Sequence, residues 1–491
     1  MGTRHHSAGI GTPALSVAGS PTATLADAKA ATLVPLNTFF ESANGVYPAT
    51  GGHLTTDAGI QDGIPSPTTG LRFVAWDATD SFGRRIFNYQ GCNAVTAPAA
   101  INTTAAAAIA GATAMSNDCT PRNHGFGTMS SDRINGTQNA RFDTDSLRVI
   151  PVWVNFNGYH GSSYHDMHMQ VEGSDGKLQH LSNGAANNGL PRTATTGGGV
   201  KRRELTWADR RMKTHRVILS GYGYFMGVYI DTNATIRRTP NKPLFMGGID
   251  SWWEGNGCAW SGSTAGGAWG ASTGSYQCLG MPEAISFHIG LPVGTTGEGG
   301  SGWQKANGVT AGEDPNYNTA GTAACQASNI RMADLVAKFS EQYPIHILPG
   351  SWNDGTALGT PYQTTYRTRM ALGFTKMIAY AAALNRDIKF ITGQIQPVDR
   401  ANGDVYDQSD AGIAEIPALY PSNCLGILNL RSMWLDTAYP SGSRSIYCHA
   451  EPFSAYIHLW LLGFMTVGRY IADQLGHISV PLDYVQKAQA W

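Results

Sequence analysis

A short apolar run, Pro243-Leu244-Phe245-Met246, leads into Gly247-Gly248-Ile249-Asp250-Ser251-Trp252-Trp253-Glu254-Gly255, and Ser251 is well placed there to act as a nucleophile. The run reads as a short buried strand. A strand that ends in a tight turn exposes the residue after it, and in open α/β sheets ligands sit at the carboxyl ends of the strands. An Asp-Ser pair by itself also serves as a helix cap or a turn, so Ser251 needs partners from elsewhere in the chain. Three later segments offer them. Gly297-Glu298-Gly299-Gly300-Ser301-Gly302-Trp303 is a glycine-rich stretch, and Ile345-His346-Ile347-Leu348-Pro349-Gly350 reads as a second buried strand that ends in Ser351-Trp352-Asn353-Asp354. His458-Leu459-Trp460-Leu461-Leu462-Gly463 continues to Gly468-Arg469-Tyr470-Ile471-Ala472-Asp473 near the C-terminus.

In this order the four segments resemble the blocks of the SGNH (GDSL-type) hydrolases, in which a strand is followed by Gly-Asp-Ser and a further Gly four residues after the Ser. Asp250, Ser251 and Gly255 match, and Ile249 stands where that family usually has Gly. Gly300 corresponds to the glycine whose amide faces the oxyanion. Ser351-Trp352-Asn353-Asp354 resembles the family's Gly-x-Asn-Asp, with Ser351 in place of the Gly. His458 corresponds to the histidine that precedes the last helix. The resemblance spans about residues 242 to 476 and implies a three-layer α/β/α, flavodoxin-like domain that transfers acyl groups. Ser251 would attack an ester carbonyl, and His458 would take its proton and return it to the leaving alcohol. The Ser251 amide, the Gly300 amide and the Asn353 side chain would hold the oxyanion. The family usually has Asp three residues before the histidine, but that position is Ala455. Glu451, Asp436 and a backbone carbonyl remain as groups that could orient His458, the last giving a Ser-His pair.

The elements that must position these residues follow from periodicity. Beyond residue 300, helices are expected at Asn329 to Tyr343 and Tyr362 to Asn385, strands at Ile388 to Thr392 and Gly426 to Leu430, and a closing helix at Leu459 to Leu475. Strands alternating with helices imply a parallel sheet covered on both faces. From about 125 to 240 the signal is β. Ile150, Val152, Val154 and Phe156 alternate on one face, and Arg216 to Ile230 reads as a long strand pair bent at its glycines. This region resembles the jelly-roll module that precedes the catalytic domain in some two-domain SGNH acetyl esterases. Before it, Leu71 to Trp76 and Arg84 to Tyr89 read as strands, and the run Ala105-Ala106-Ala107-Ala108 is either a packed helix or a linker. The expected division is an N-terminal arm and small β-containing region at 1–124, a β-sandwich at 125–240 and the hydrolase-like domain at 241–491.

Composition narrows the function further. With 491 residues, 42% hydrophobic and only 14% charged, the chain can bury substantial cores. A formal net charge of −1 argues against a nucleic-acid or anionic-membrane partner held by charge. The uncharged run from Phe453 to Gly468 is shorter than the ~20 residues a membrane span needs. No apolar signal-peptide core follows Arg4-His5-His6. No phosphate-binding glycine fingerprint is present, so no nucleotide cofactor is expected. The seven cysteines show no Cys-x-x-Cys spacing; Cys258 and Cys278 are either a disulfide closing a Gly/Ser-rich loop or two free thiols. In the cluster His160, His165, Asp166 and His168, a strand from Tyr164 to Val171 would turn His165 and His168 to opposite faces, so no metal site is expected.

Tryptophans adjoin the blocks, and flat aromatic faces suit sugar rings. Trp252, Trp303 and Trp352 are therefore the expected substrate-binding residues, and the expected substrate is an acylated glycan, most simply an O-acetyl ester, or a small ester. The layout resembles virion or tail-associated phage proteins that strip acyl groups from surface glycans, a setting that allows attachment through the N-terminal region or a homo-oligomer. The rival readings are a non-enzymatic virion structural protein or adhesin with a degenerate SGNH domain, and a lipase or thioesterase.

Overall fold

The computed structural model describes residues 32–47, 53–89, 94–117, 138–155, 165–181, 193–195, 198–221, 223–240, 245–250, 253, 281–295, 297, 300–305, 315–316, 318, 324–339, 344–354, 361–395, 403–431 and 461–484. In the C-terminal half, five short strands form one sheet: β1 (Phe245–Gly247), β2 (Val293–Thr295), β3 (Ile345–Pro349), β4 (Lys389–Gly393) and β5 (Cys424–Leu428). Their spatial order is 2-1-3-4-5, and every neighbouring pair is parallel. This is the order of flavodoxin-like doubly wound sheets, in which the direction of winding reverses between β1 and β3.

Helices α1 (Met281–Ile289), α2 (Asn329–Phe339), α3 (Tyr362–Ala383), α4 (Gly403–Ala414) and α5 (Leu461–His477) cover both faces. The pleat of β3 assigns the layers. Ile345 and Ile347 belong to a core with α1 and α5 residues such as Ile285, Phe464 and Ile471, while Leu348 belongs to a second core with Met332, Phe374 and Ile413 from α2, α3 and α4. Strands β1 and β3 are buried on both faces and read as nearly continuous apolar runs, whereas β5 at the edge leaves Ile427 exposed. Each buried Ile or Phe contributes roughly 1.5–3 kcal/mol, so the two cores suffice to hold such short strands.

Helix α3 stops for a local reason. Asn385 adopts φ 55°, and the Arg386 and Asn385 amides donate to the carbonyls of Ala381 and Ala382, the bonding of a Schellman cap. The five elements expected after residue 300 are present with small shifts at their ends. The sequence reading had not identified α1, β2 or α4.

Among the described residues the N-terminal half has two large, mainly antiparallel sheets and a two-stranded pair, Ala94–Thr96 with Met115–Asn117. One has five strands, in the order Leu54–Asp62, Gly199–Trp207, Arg148–Asn155, Gly223–Asp231, Leu71–Ala75. The other has eight, among them Gln138–Thr144, His165–Glu172 and Lys213–Gly221. One apolar cluster draws on both sheets, through Trp153, Leu205 and Phe225 from the first and Phe142, Met169 and Val217 from the second. On the outer face of the five-stranded sheet, Ile150, Val152 and Val154 pack on Ile101 and Ala105 of a helix at Ala99–Ala108. The alanine run is thus the end of a packed helix that buries Ala105 and leaves Ala106 and Ala107 exposed. Phe156 lies outside the described residues.

Two expectations change. The run from Arg216 to Ile230 is not a hairpin, since Lys213–Gly221 and Gly223–Asp231 lie in different sheets. The region expected to stand apart before residue 125 supplies strands to both sheets: Leu54–Asp62 and Leu71–Ala75 edge one, and Ser42–Tyr47 and Asn88–Tyr89 join the other. A strand needs partners for its amides and carbonyls, and these short segments find theirs on existing edges.

The eight-stranded sheet turns its other face to α1. Fully buried Arg216 donates to Asn139 Oδ1 (3.0 Å), Gln170 Oε1 (2.8 Å) and the Ser286 carbonyl (3.0 Å), and Gln170 Nε2 donates to the Phe287 carbonyl (2.8 Å). His180 stacks on Phe287 at 3.4 Å between ring centroids. Burial, with Arg141 nearby, brings the Arg216 guanidinium down to about 9. His168 is buried against the same ring, and among the described residues no group of His, Cys, Asp or Glu could hold a metal ion. Among the described residues no helix is long and apolar enough to cross a membrane.

Candidate active site

The loops that follow β1, β2 and β3 meet at the carboxyl end of the sheet, beside the winding reversal. Strands β1 and β3 run directly into glycine, Gly248 and Gly350, and the loop after β2 carries Gly300. Gly248 has φ 133° and Gly300 has φ 75°, both in the left-handed range that a side chain disfavours. At Gly247 a Cβ would stand 2.2 Å from the Trp253 ring, and at Gly302 it would stand 2.4 Å from Asp354 Oδ1. Glycine at 247 thus makes room for the ring of its own loop, and glycine at 302 lets the second loop approach the third.

Short polar side chains join the three loops. Ser301 is the hub. Its hydroxyl donates to the Ile249 carbonyl (2.5 Å) and accepts from Arg331 Nη1 (3.0 Å). Its carbonyl accepts from Ser351 Oγ (3.1 Å) and Asn353 Nδ2 (3.0 Å). Ser351 Oγ also lies 3.0 Å from Asp250 Oδ2, as donor, and accepts the Asn353 amide at 3.2 Å. Asp354 fastens the second loop to the third. Its carboxylate accepts the amides of Trp303 (2.8 Å), Gln304 (2.9 Å) and Lys305 (3.1 Å) and the Tyr366 hydroxyl (3.1 Å). Burial raises the Asp354 carboxyl above the ordinary range, and the three amides pull against it. Tyr366, pushed well above its usual value by burial and then by Asp354, accepts the Ser351 amide at 2.6 Å.

The structure thus brings together Asp250, Gly300 and Asn353, which stand in three separate blocks of the sequence. Asn353 is partly exposed and donates one side-chain amide hydrogen to the Ser301 carbonyl, with no second side-chain amide bond among the described residues. Ser251, Trp252 and His458 lie outside the described residues, as do Glu451, Asp436, Cys258, Cys278 and His160. The Trp253 amide donates to the Asp250 carbonyl at 3.1 Å, on the far side of Ser251.

Trp303 is not a substrate-binding residue. It is fully buried, donates its indole N–H to the Pro349 carbonyl (2.9 Å) and packs on Phe374, so no sugar can reach its face. Trp352 is half-buried, with its indole nitrogen buried. Ser301, Arg331 and Tyr366 escaped the sequence reading because no motif marks them. Ser351 did carry a signal, as a hydroxyl where a glycine was expected.

The course of α5 bears on the base. His288 Nε2 meets the Met465 carbonyl at 2.9 Å at the end of α1, where β2 is about to begin, and Gln474 Oε1 accepts the Asn429 amide (2.7 Å) just past β5. Helix α5 therefore rises in the sense of the strands, and its first turns lie at the edge of the sheet opposite the Gly300 and Asn353 loops. Among the described residues no imidazole joins that site: His346, within β3, is fully buried and held near 3 by burial.

No protein-family model and no curated protein sequence matches the chain. Solved structures with a similar course include a salicylyl-acyltransferase, SsfX3, from a tetracycline biosynthetic pathway (12% identity, TM-score 0.44, covering 83% of this chain and 98% of that one). A family two carbohydrate esterase from Cellvibrio japonicus has 11% identity and a TM-score of 0.39, covering 82% of this chain and 97% of that one. An acetyl xylan esterase from the rumen bacterium Butyrivibrio proteoclasticus has 10% identity and a TM-score of 0.38, covering 83% and 98%.

Proposed function

We propose that this chain is a serine ester hydrolase of the SGNH type that removes small acyl groups, O-acetyl foremost, from a carbohydrate. The observation that supports this reading is the meeting of Asp250, Gly300 and Asn353 at the winding reversal, with Ser251 the next residue in the chain after Asp250. In the reaction, Ser251 Oγ attacks the ester carbonyl and passes its proton to His458. The carbonyl oxygen becomes an oxyanion beside the Ser251 amide, the Gly300 amide and the second amide hydrogen of Asn353. Collapse expels the alcohol, which takes the proton from His458, and water then cleaves the acyl-serine by the same route in reverse. Trp252 and the accessible part of Trp352 are the proposed sugar-facing surfaces. The two antiparallel sheets are proposed to form the jelly-roll-like module, enlarged by strands from residues 42 to 89.

This assignment makes a demand on His458. One helical turn back from Met465 and three more residues reach at most ~17 Å, at ~1.5 Å per helical and ~3.5 Å per extended residue, which is about the height of a five-residue strand. His458 is the base only if residues 458–461 run extended toward the loops. The position of the first turns of α5 is what favours a second reading, a non-enzymatic glycan-binding or virion protein on a degenerate hydrolase scaffold. Hydrolysis of p-nitrophenyl acetate and of acetylated polysaccharide by the purified chain separates the two. The enzyme reading expects turnover of both, faster on the polysaccharide at equal ester concentration, and complete loss in Ser251→Ala. Turnover that survives Ser251→Ala removes the nucleophile assignment.

A further inference from the structure

Ser351 stands where the resembling family has glycine, and its hydroxyl is placed where a glycine could do nothing. It is fully buried. It accepts the Asn353 amide at 3.2 Å, two residues along, which is the local bonding that shapes a serine turn. It also lies within donating distance of Asp250 Oδ2 at 3.0 Å and of the Ser301 carbonyl at 3.1 Å. The single hydroxyl hydrogen is shared between those two acceptors. One oxygen thereby touches all three loops: the residue before Ser251, the residue after Gly300, and the turn that presents Asn353.

We infer that Ser351 is a positioning residue that sets the nucleophile loop in register with the two oxyanion donors, a role this chain has added at a glycine position. The inference rests on the proposed esterase reading and says which further group makes that site competent. The physical basis is distance. Hydrogen-bond donors stabilise an oxyanion only within a few tenths of an ångström of their ideal separation from it, and misplacement of about 1 Å costs ~10²-fold. Asp250 is covalently joined to Ser251, so a bond that holds the Asp250 carboxylate against the Asn353 turn limits how far nucleophile and donor can drift apart. Tyr366 supports the same residue from behind, its hydroxyl accepting the Ser351 amide. Loss of the hydroxyl would leave Asp250 Oδ2 short of a buried donor and Asn353 N–H short of an acceptor, while backbone and packing stay in place.

The test compares wild type with Ser351→Ala, Ser351→Gly and Ser351→Thr. Each is treated with a fluorophosphonate probe that forms a covalent bond to an activated serine, and each is assayed on p-nitrophenyl acetate across pH. A positioning role expects labelling and kcat to fall about 10- to 100-fold in the Ala and Gly variants, with KM changed less than about twofold and the pH profile unmoved, and substantial recovery in Thr, which restores a hydroxyl. The Asp250→Asn variant should also lose activity, and the double variant Ser351→Ala with Asp250→Asn should lose less than the product of the two single losses, because the Ser351–Asp250 bond is common to both. Wild-type labelling rates in the Ala and Gly variants, or losses matched by an equal loss of folded protein in circular dichroism, overturn the inference and leave the esterase intact. Failure of the wild type to label at all overturns the esterase reading itself, and this inference with it.

Discussion

Two buried polar networks hold this molecule together, and they are built from opposite materials. At the carboxyl end of the parallel sheet, Ser301, Ser351, Asn353 and Asp354 bond mostly to backbone groups of neighbouring loops, over distances of 2.5–3.2 Å. Between the eight-stranded sheet and α1 the material is charge: Arg216 reaches Asn139, Gln170 and Ser286, and Arg141 pairs with Glu41. Arg141 Nε and Nη1 remain buried without a partner among the described residues. Short side chains bonded to backbone lose little rotamer freedom and fix loops accurately, which suits a reaction site. Long cations tolerate small shifts and join two packed layers, at the cost of desolvating a guanidinium. One network sets geometry, and the other sets attachment.

That division can be broken from either side. The largest effect on stability is expected at the junction. Arg216→Ala strands four acceptors that bond to a buried cation, on Asn139, Gln170 and both oxygens of Ser286, and should lower unfolding free energy by about 2–4 kcal/mol in urea titration, while kcat per folded molecule stays within about twofold. A fall in kcat per folded molecule would mean that attachment also sets geometry. On the other side, Asn353→Ala should reduce kcat on p-nitrophenyl acetate about 10²–10³-fold with little change in the urea midpoint, as loss of one oxyanion donor does. A normal rate would remove Asn353 from the site.

His346 offers a third comparison, since it lies inside the sheet that carries the loops but bonds to nothing: neither ring nitrogen has a partner among the described residues. Burial lowers its pKa from 6.5 to about 3, so the folded state binds fewer protons than the unfolded chain. Stability that is complete above pH 6.5 is therefore lost as pH falls from 6.5 toward 3, with a slope approaching ~1.4 kcal/mol per pH unit from this group. His346→Leu should flatten the acid limb, sparing about 1 kcal/mol between pH 7 and 5.5 by urea titration. An unchanged acid limb would mean that His346 reaches solvent or a partner.

The smallest effects concern the group that orients the base. With Asp absent at Ala455, Glu451→Gln and Asp436→Asn should each lower turnover by less than roughly tenfold, whereas His458→Ala should cost at least about 10³. His449 is the other histidine between β5 and α5, and its Ala variant is the control. If His449→Ala causes the large loss and His458→Ala does not, the course of α5 away from the loops has its explanation.

What the sequence determined by itself was whatever depends on near neighbours. Apolar runs bounded by glycine marked β1 and β3, helical periodicity marked α2, α3 and α5, and alternation marked the strand at Arg148–Asn155, because each signal is written within a dozen residues. Gly300 and Asn353 were legible as members of ordered blocks. Helix α1 and strand β2 were not, since short segments beside Gly/Ser-rich stretches owe their structure to the cores they fill rather than to propensity. Only the tertiary structure decided that Trp303 is core, that strands from residues 54–75 complete a sheet with residues 148–231, and that Ser351 meets Asp250 while Ser301 links the Ile249 carbonyl, Ser351 and Arg331. The physical reason is the same in each case: burial and hydrogen-bond partnership across a hundred residues depend on where the chain returns, and no local pattern of residue types records that distance.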